Sequence, residues 1–393
     1  MEDRMTLRQR LDALTPEMTA WRRDFHAHPE LGYEEHRTSA IVASMLQDWG
    51  IEVHTGLGGT GVVGVLRGKR GGNRAIGLRA DMDALPMTEA TGLPHASTAP
   101  GRMHACGHDG HTSMLLGAAK YLAETRDFSG TVHLIFQPAE ESLAGAKAMI
   151  DDGLFERFPC DAVYGLHNEP RLPLGKVSVH AGTMLAAIDY FSVTVRGKAT
   201  HGAAPHLGVD SVVAAAQVVT ALQTVVSRNI NPLETAVISI GQMHGGTSDI
   251  VIPDAVELRG SVRTLKPEVR DAMEPAFRRV VENTVAAFGA TAEIEYRRAY
   301  PATINTPLET ERAALAVATL LGGDAVLANE PPITAGEDFA FMLEKCPGAY
   351  VMFGQDGGDK GGTPVHNIHY DFNDDLLPLG AGYLAQLVEQ ELR

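Results

Sequence analysis

Four short β-rich runs in the first half of the chain, Gly61 to Leu66, Arg74 to Ala80, Thr131 to Phe136 and Ala162 to Leu166, alternate with helical patterns. That alternation restricts the fold to an α/β sheet with helices on its faces. Polar clusters follow the expected strand ends at Asp81 to Asp83, Gln137 to Glu141 and His167 to Asn168. Open α/β sheets place ligand sites at such ends, so these three segments are expected to converge.

From about Ala186 the texture changes. An alternating strand, Tyr190 to Val195, precedes a helix with apolar positions Val212, Ala216, Val219, Leu222 and Val226 at a 3.6-residue period. Strand-like runs follow at Ala236 to Gly241 and Ala255 to Val262, then a helix from Pro267 to about Phe288, then Ala292 to Tyr296. The order β-α-β-β-α-β fits a ferredoxin-like unit. After about Arg298 the earlier alternation resumes through Gly336 to Lys345, Ala349 to Phe353 and a closing helix near Leu377 to Leu392. The simplest organisation is an α/β domain of residues 1–185 and 298–393, interrupted by an α+β domain of residues 186–297. A length of 393 residues favours two domains on its own account.

The balance of 49 acidic against 33 basic side chains, a formal charge of −16, repels nucleic acid and anionic membrane surfaces. The start, Met1 to Arg10, lacks the apolar stretch of a signal peptide, and no later run is expected to span a membrane, which points to the cytoplasm. Three cysteines, Cys106, Cys160 and Cys346, cannot build a disulfide framework.

The segment Met103-His104-Ala105-Cys106-Gly107-His108-Asp109-Gly110-His111 crowds three imidazoles, a thiol and a carboxylate around two glycines. Soft and borderline ligands at this density suit a metal better than a helix start with incidental histidines. Gly107 is expected to let the chain turn tightly between Cys106 and His108. Cys106 also has a reading as a histidine-activated nucleophile. The ligand role is favoured, because Glu140, Glu141, His167 and His366 supply carboxylates and imidazoles that a cysteine hydrolase does not need. Cys160 and Cys346 lack such company and read as packed thiols.

In Gln137-Pro138-Ala139-Glu140-Glu141 a strand runs into two consecutive carboxylates. In a continued strand they would face opposite ways, so both serve one site only if the backbone breaks after Pro138. Two acids at a strand end are often a solvated turn. Beside a metal cluster they divide the work, one binding a cation and the other taking a proton from water. His167 and His366 are lone histidines, and by themselves read as structural.

The runs His104-Ala105-Cys106-Gly107-His108-Asp109-Gly110-His111, Gln137-Pro138-Ala139-Glu140-Glu141, Gly165-Leu166-His167-Asn168, Gly197-Lys198-Ala199-Thr200-His201-Gly202, Gly336-Glu337-Asp338-Phe339 and His366-Asn367 together resemble the M20 metallopeptidase family. The likeness is to its amidohydrolase branch, with hippurate hydrolases, N-acyl-amino-acid amidohydrolases and auxin-conjugate hydrolases. It implies a zinc-peptidase-like catalytic domain carrying a lid, with dimerisation, or a higher homo-oligomer, through that lid. It implies Cys106 as a bridging ligand, with His108, Glu141, His167 and His366 completing a site for two divalent ions (Zn, Mn, Ni or Co), and Glu140 as general base. His201 would reach the partner subunit's site to stabilise an oxyanion; otherwise it reads as a surface histidine in a Gly-rich turn. Arg263 resembles a substrate-facing lid arginine, and reads equally as an ion-paired surface residue.

The implied reaction is hydrolysis of a small N-acyl amino acid to a carboxylic acid and a free amino acid. A dipeptidase, a carboxypeptidase or an N-acetyl-diaminopimelate deacetylase is the alternative on the same fold. Asp81-Met82-Asp83 stands where many relatives carry His-x-Asp, which implies supporting acids rather than ligands. Ile250 replaces an asparagine common in the family and puts the lid's polar substrate contacts in question. Ile368 replaces a proline common after the His-Asn pair.

Overall fold

The computed structural model describes residues 5–393, so the first four residues of the polar start lie outside the described residues. The chain packs as two compact units. One comprises the residues up to Met184 with Ile304–Pro331 and Asp338–Arg393, the other Leu185–Thr303 with Pro332–Glu337.

Among the described residues the first unit carries an eight-stranded sheet. Its spatial order is β1 (Glu52–Leu57), β2 (Gly61–Arg67), β4 (Thr131–Gln137), β3 (Ala75–Asp81), β5 (Ala162–Pro173), then Gly348–Asp356, Val177–Ser178 and Val326–Leu327. β3, β4, β5 and Gly348–Asp356 run parallel, whereas β1 and β2 are antiparallel. Every residue of β3 from Ile76 to Asp81 is buried. A central parallel strand covered on both faces reads as a continuous apolar run rather than an alternation, as this one does except at Arg79. The register sets Asp81 beside Gln137 and His167 beside Met352, so the chemically active residues gather at the carboxyl side of the parallel strands.

α1 (Leu7–Ala27) opens with a reciprocal cap between Thr6 and Gln9. α2 (His36–Asp48) lies against β1 and β2, while α1, α3 (His108–Thr125) and the C-terminal helix Leu377–Glu391 pack on one another. Met18, Leu115, Leu384 and Val388 are part of the core they share with the sheet.

The second unit has a four-stranded antiparallel sheet in the order Ala236–Gly245, Ala255–Thr264, Ala187–Arg196, Thr291–Tyr300. With helices Ser211–Thr224 and Pro267–Ala287 it completes the ferredoxin-like order, and the rings of Phe191 and Phe277 pack at a tilt in its core, 4.6 Å between centroids.

Three expectations need correction. β5 does not stop at His167 but continues to Pro173. The lid helix buries Ala214, Ala215, Val218 and Leu222, while Val212 is exposed. The period was right and the phase wrong, because apolar residues surround this helix. The same segment, Ser211–Asn229, is long and apolar enough to cross a membrane by length and composition, contrary to the expectation that no run would be. In the fold its buried face, with Val225, belongs to the core of the second unit.

Candidate metal centre

Gly107 caps α3 with φ 102°, in the left-handed region. A Cβ there would collide with the Asn168 side chain and crowd the Tyr370 hydroxyl. The turn puts Cys106 just before the helix and His108 at its first residue, both buried. The chain breaks after Pro138 through Ala139, also left-handed at φ 54°, before a short helix Glu140–Leu143. The two carboxylates thereby leave the opposed faces of a strand. The N–H groups of Glu140 and Glu141 donate to Asp83 Oδ1 and Oδ2 at 3.0 and 2.9 Å. His366 follows the same pattern, with φ 59° and its N–H donating to Ala105 O at 2.7 Å, one residue before Cys106. A non-glycine residue in this region is uncommon and marks a conformation the surroundings impose.

The donor atoms of Cys106, His108 and His167 lie within 4.8 Å of one another, and so do those of Cys106, Glu141 and His366. Cys106 belongs to both sets. Glu140 forms a third group with His108 and Glu141. Cys106 Sγ is 3.4 Å from His167 Nε2, and Glu141 Oε1 is 3.0 Å from His366 Nε2. That second approach lacks hydrogen-bond alignment, for Glu141 Oε1 has no hydrogen-bond partner among the described residues. Two donors aimed at a common point rather than at each other behave in this way.

The hydrogen bonds also fix which imidazole nitrogens face inward. His108 Nδ1 is 3.2 Å from Asp83 Oδ1, and His167 Nδ1 is 2.7 Å from the Asn168 carbonyl. Both oxygens only accept, so each Nδ1 carries a proton; the Nε2 of His167 is left with its lone pair, and that of His108 would gain one when a bound cation displaced its second proton. His108 Nε2 is buried with no hydrogen-bond partner among the described residues. Metal-binding histidines are oriented by this kind of outer bond.

Charge favours a cation. Although burial opposes it, Asp81 and Asp83 hold the His108 imidazolium up to a pKa of about 10. Burial, followed by the carboxylates of Glu141, Glu140 and Asp81, keeps the Cys106 thiol well above the ordinary cysteine range. A nucleophilic cysteine needs the opposite shift, whereas a divalent cation deprotonates a thiol outright. Burial and the neighbouring His111 ring keep His167 well below the usual histidine value, hence neutral and able to donate its lone pair. The orphaned Nε2 and Oε1 and the soft and hard donors around one thiol fit a divalent metal pair.

The rest of the motif turns elsewhere. His111 bonds Asp81 Oδ1 at 2.6 Å and Asn168 Oδ1 at 2.7 Å, and Asp109 bonds His26 at 2.8 Å. His104 is buried behind them, lowered by burial to a pKa of about 4. Arg79, not among the residues expected at the site, is buried in β3 and donates to Gln137 and Asp81 at 2.7 Å and to Asp338 at 3.1 Å. A lone arginine inside an apolar strand was the available signal. Asp338 in turn accepts from Gln137 and Ala146 and offers its N–H to Glu140 Oε1 at 3.3 Å.

In the second unit, His201 is exposed on a two-residue strand paired with Val251–Ile252, and its Nδ1 accepts from the Ala203 N–H at 3.0 Å. Arg263 stands mid-strand between Val237 and Ile188, half-buried, and forms no ion pair among the described residues. Ile250 is exposed, and its carbonyl accepts from the Gly202 N–H.

Residues 77–390 match the family described as Peptidase family M20/M25/M40. The chain belongs to this family. Among its relatives, the hippurate hydrolase of Campylobacter jejuni is 42% identical over 374 residues, covering 95% of this chain and 96% of that one. An N-acetyl-L-cysteine deacetylase of Bacillus subtilis is 42% identical over 361 residues, covering 91% and 85%. The crystal structure of a dinuclear metal binding peptidase of family M20 from Bacillus subtilis superposes with a TM-score of 0.83 at 35% identity, over 97% of this chain and 99% of that one. This M20 member thus pairs a catalytic unit with a lid, and its donor sets suit two divalent cations.

Proposed function

We propose that this protein hydrolyses the amide bond of N-acyl or N-aroyl amino acids, hippurate among them, to a carboxylic acid and a free amino acid in the cytoplasm. The observation that carries the reading is one thiol, Cys106, common to two donor sets with Glu140 alongside. The relatives that cleave hippurate and N-acetylcysteine support this substrate class. Cys106, His108, His167, Glu141 and His366 would hold two ions among Zn²⁺, Mn²⁺, Ni²⁺ and Co²⁺, Cys106 being common to both donor sets. When bound, such ions polarise a carbonyl and lower the pKa of water. Glu140 accepts the proton of the attacking water and returns it to the leaving nitrogen. Asp83, through the amides of Glu140 and Glu141, keeps base and ligand in place. Arg263, without a carboxylate partner, is suited to receive that of the substrate.

Purified protein is expected to contain two equivalents of metal by elemental analysis and to lose turnover on chelation, with recovery on adding metal back. In a parallel panel, hippurate and N-acetyl amino acids should turn over faster than dipeptides or N-acetyl-diaminopimelate. Full activity after exhaustive chelation, combined with inactivation by thiol alkylation, would return Cys106 to the nucleophile role.

The protein acts as a homodimer through its lid, with His201 serving the partner's site. His201→Ala is expected to lower kcat by about 10²- to 10³-fold, the usual effect of removing an oxyanion donor. Mixing this variant with Glu140→Gln subunits should restore part of the activity, since one site of each heterodimer keeps both groups. No recovery in verified heterodimers rules out sharing across the dimer.

A further inference from the structure

The short segment before α2 cradles the turn that presents Glu140 and Glu141. The Tyr33 hydroxyl donates to the Leu143 carbonyl at 2.9 Å, at the far end of the turn. A Cβ on Gly32 would stand 2.7 Å from Leu143 Cδ1 and 3.0 Å from Ala139 Cα, so the two backbones are in close contact. At the near end, Glu35 is fully buried and its Oε1 accepts the Ala139 N–H at 2.8 Å. Its other oxygen accepts the Thr60 hydroxyl at 2.5 Å. Thr60 is itself buried, at the end of a glycine turn whose Gly58 N–H is held by Asp152 at 2.7 Å.

Three consecutive amides, those of Ala139, Glu140 and Glu141, are therefore captured by two buried carboxylates, Glu35 for the first and Asp83 for the next two. The first is the critical one. Ala139 is an alanine in the left-handed region, a conformation unfavourable for a residue with a Cβ and therefore one that must be imposed from outside. Asp83 constrains the residues after the turn, whereas Glu35 holds the residue that makes it.

We propose that Glu35 is a positioning residue: by holding Ala139 in its left-handed turn it aims Glu140 and Glu141 into one site. This assignment rests on the reading of Glu140 as base and Glu141 as ligand. What the position requires is an acceptor oxygen of carboxylate length. Glu35→Gln meets that requirement, because the side-chain amide oxygen can accept from Ala139 while its nitrogen donates to the Thr60 hydroxyl oxygen.

The test uses the full-length protein, with Zn²⁺ affinity measured against a chromophoric chelator and kcat measured at saturating metal. Glu35→Ala is expected to weaken Zn²⁺ binding and to lower kcat by about 10- to 100-fold each, the range for groups that orient metal ligands, with KM near the parental value. Glu35→Gln should lie within about threefold of the parent in both readouts, the margin left by that same range. A shift of less than about tenfold in Glu35→Ala, or an equal loss in Glu35→Gln, overturns the assignment. Should Glu35→Ala fail to fold, Thr60→Val decides, since it leaves Glu35 in place but untethered. A loss of at least about threefold then supports the assignment, and parental values overturn it. A parent inactive on the substrate panel would sink the functional reading alone, because Zn²⁺ affinity reports on Glu35 without turnover.

Discussion

Glu140→Gln lowers kcat by about 10²- to 10⁴-fold, the contribution of a positioned general base, while KM and metal content stay at parental values. The substitution is close to isosteric. The amide oxygen still accepts the Asp338 N–H, and the backbone N–H still reaches Asp83. What disappears is a group able to take and return a proton. Steady-state kinetics with elemental analysis on the same preparation separates this outcome from misfolding or metal loss. A variant with near-normal kcat would remove Glu140 from the base role.

Cys106→Ala should deplete both metals, whereas His366→Ala should deplete one. Cys106 Sγ belongs to both donor sets and His366 to a single set. After dialysis against a moderate chelator, the expected metal content is near zero for the first variant and near one equivalent for the second. Affinity in the cysteine variant should fall at least about 100-fold, beyond the range for groups that only orient ligands. Retention of two equivalents by Cys106→Ala would overturn the shared-thiol assignment. Loss of turnover with both metals still bound would instead favour a nucleophilic cysteine.

Much of this arrangement can be read from the chain. β3 and β4 declare themselves as buried parallel strands, because Ile76, Leu78 and Ala80, or Val132, Leu134 and Phe136, leave little polar surface to alternate with. The polar residues at their ends, Asp81 and Gln137, mark where the sheet gives way to the site. The crowding of Cys106 and His108 around Gly107 was likewise visible, and the structure shows the tight turn that crowding requires. His167 and His366 were not visible in the same sense. Each is a single imidazole in unremarkable surroundings, and only the likeness to a family drew them in.

The hidden parts depend on partners distant in the chain. Nothing about Ala139 predicts a left-handed turn, since the carboxylate that holds it comes from Glu35. Arg79 could be flagged as a buried charge, but no local pattern says that it meets Asp338, 259 positions further on. The lid helix misled for another reason. With Val212 and Val213 as apolar as Val218, periodicity cannot choose which face turns inward, and packing in the second unit makes the choice.

The order of strands in the larger sheet governs how the protein can be made. β5 is bordered on one side by Gly348–Asp356, and His366, a donor of one set, lies beyond that strand. During translation the ferredoxin-like unit has every strand of its own sheet by Tyr300, while β5 still waits with a bare edge for a neighbour near the carboxyl terminus. Domains fold as units as they emerge, and an unpaired strand edge on a nascent chain invites aggregation. A ribosome stalled before residue 348 would hold a finished insert inside an unfinished catalytic unit, with β5 unpaired on one side and the donor set that includes His366 still incomplete.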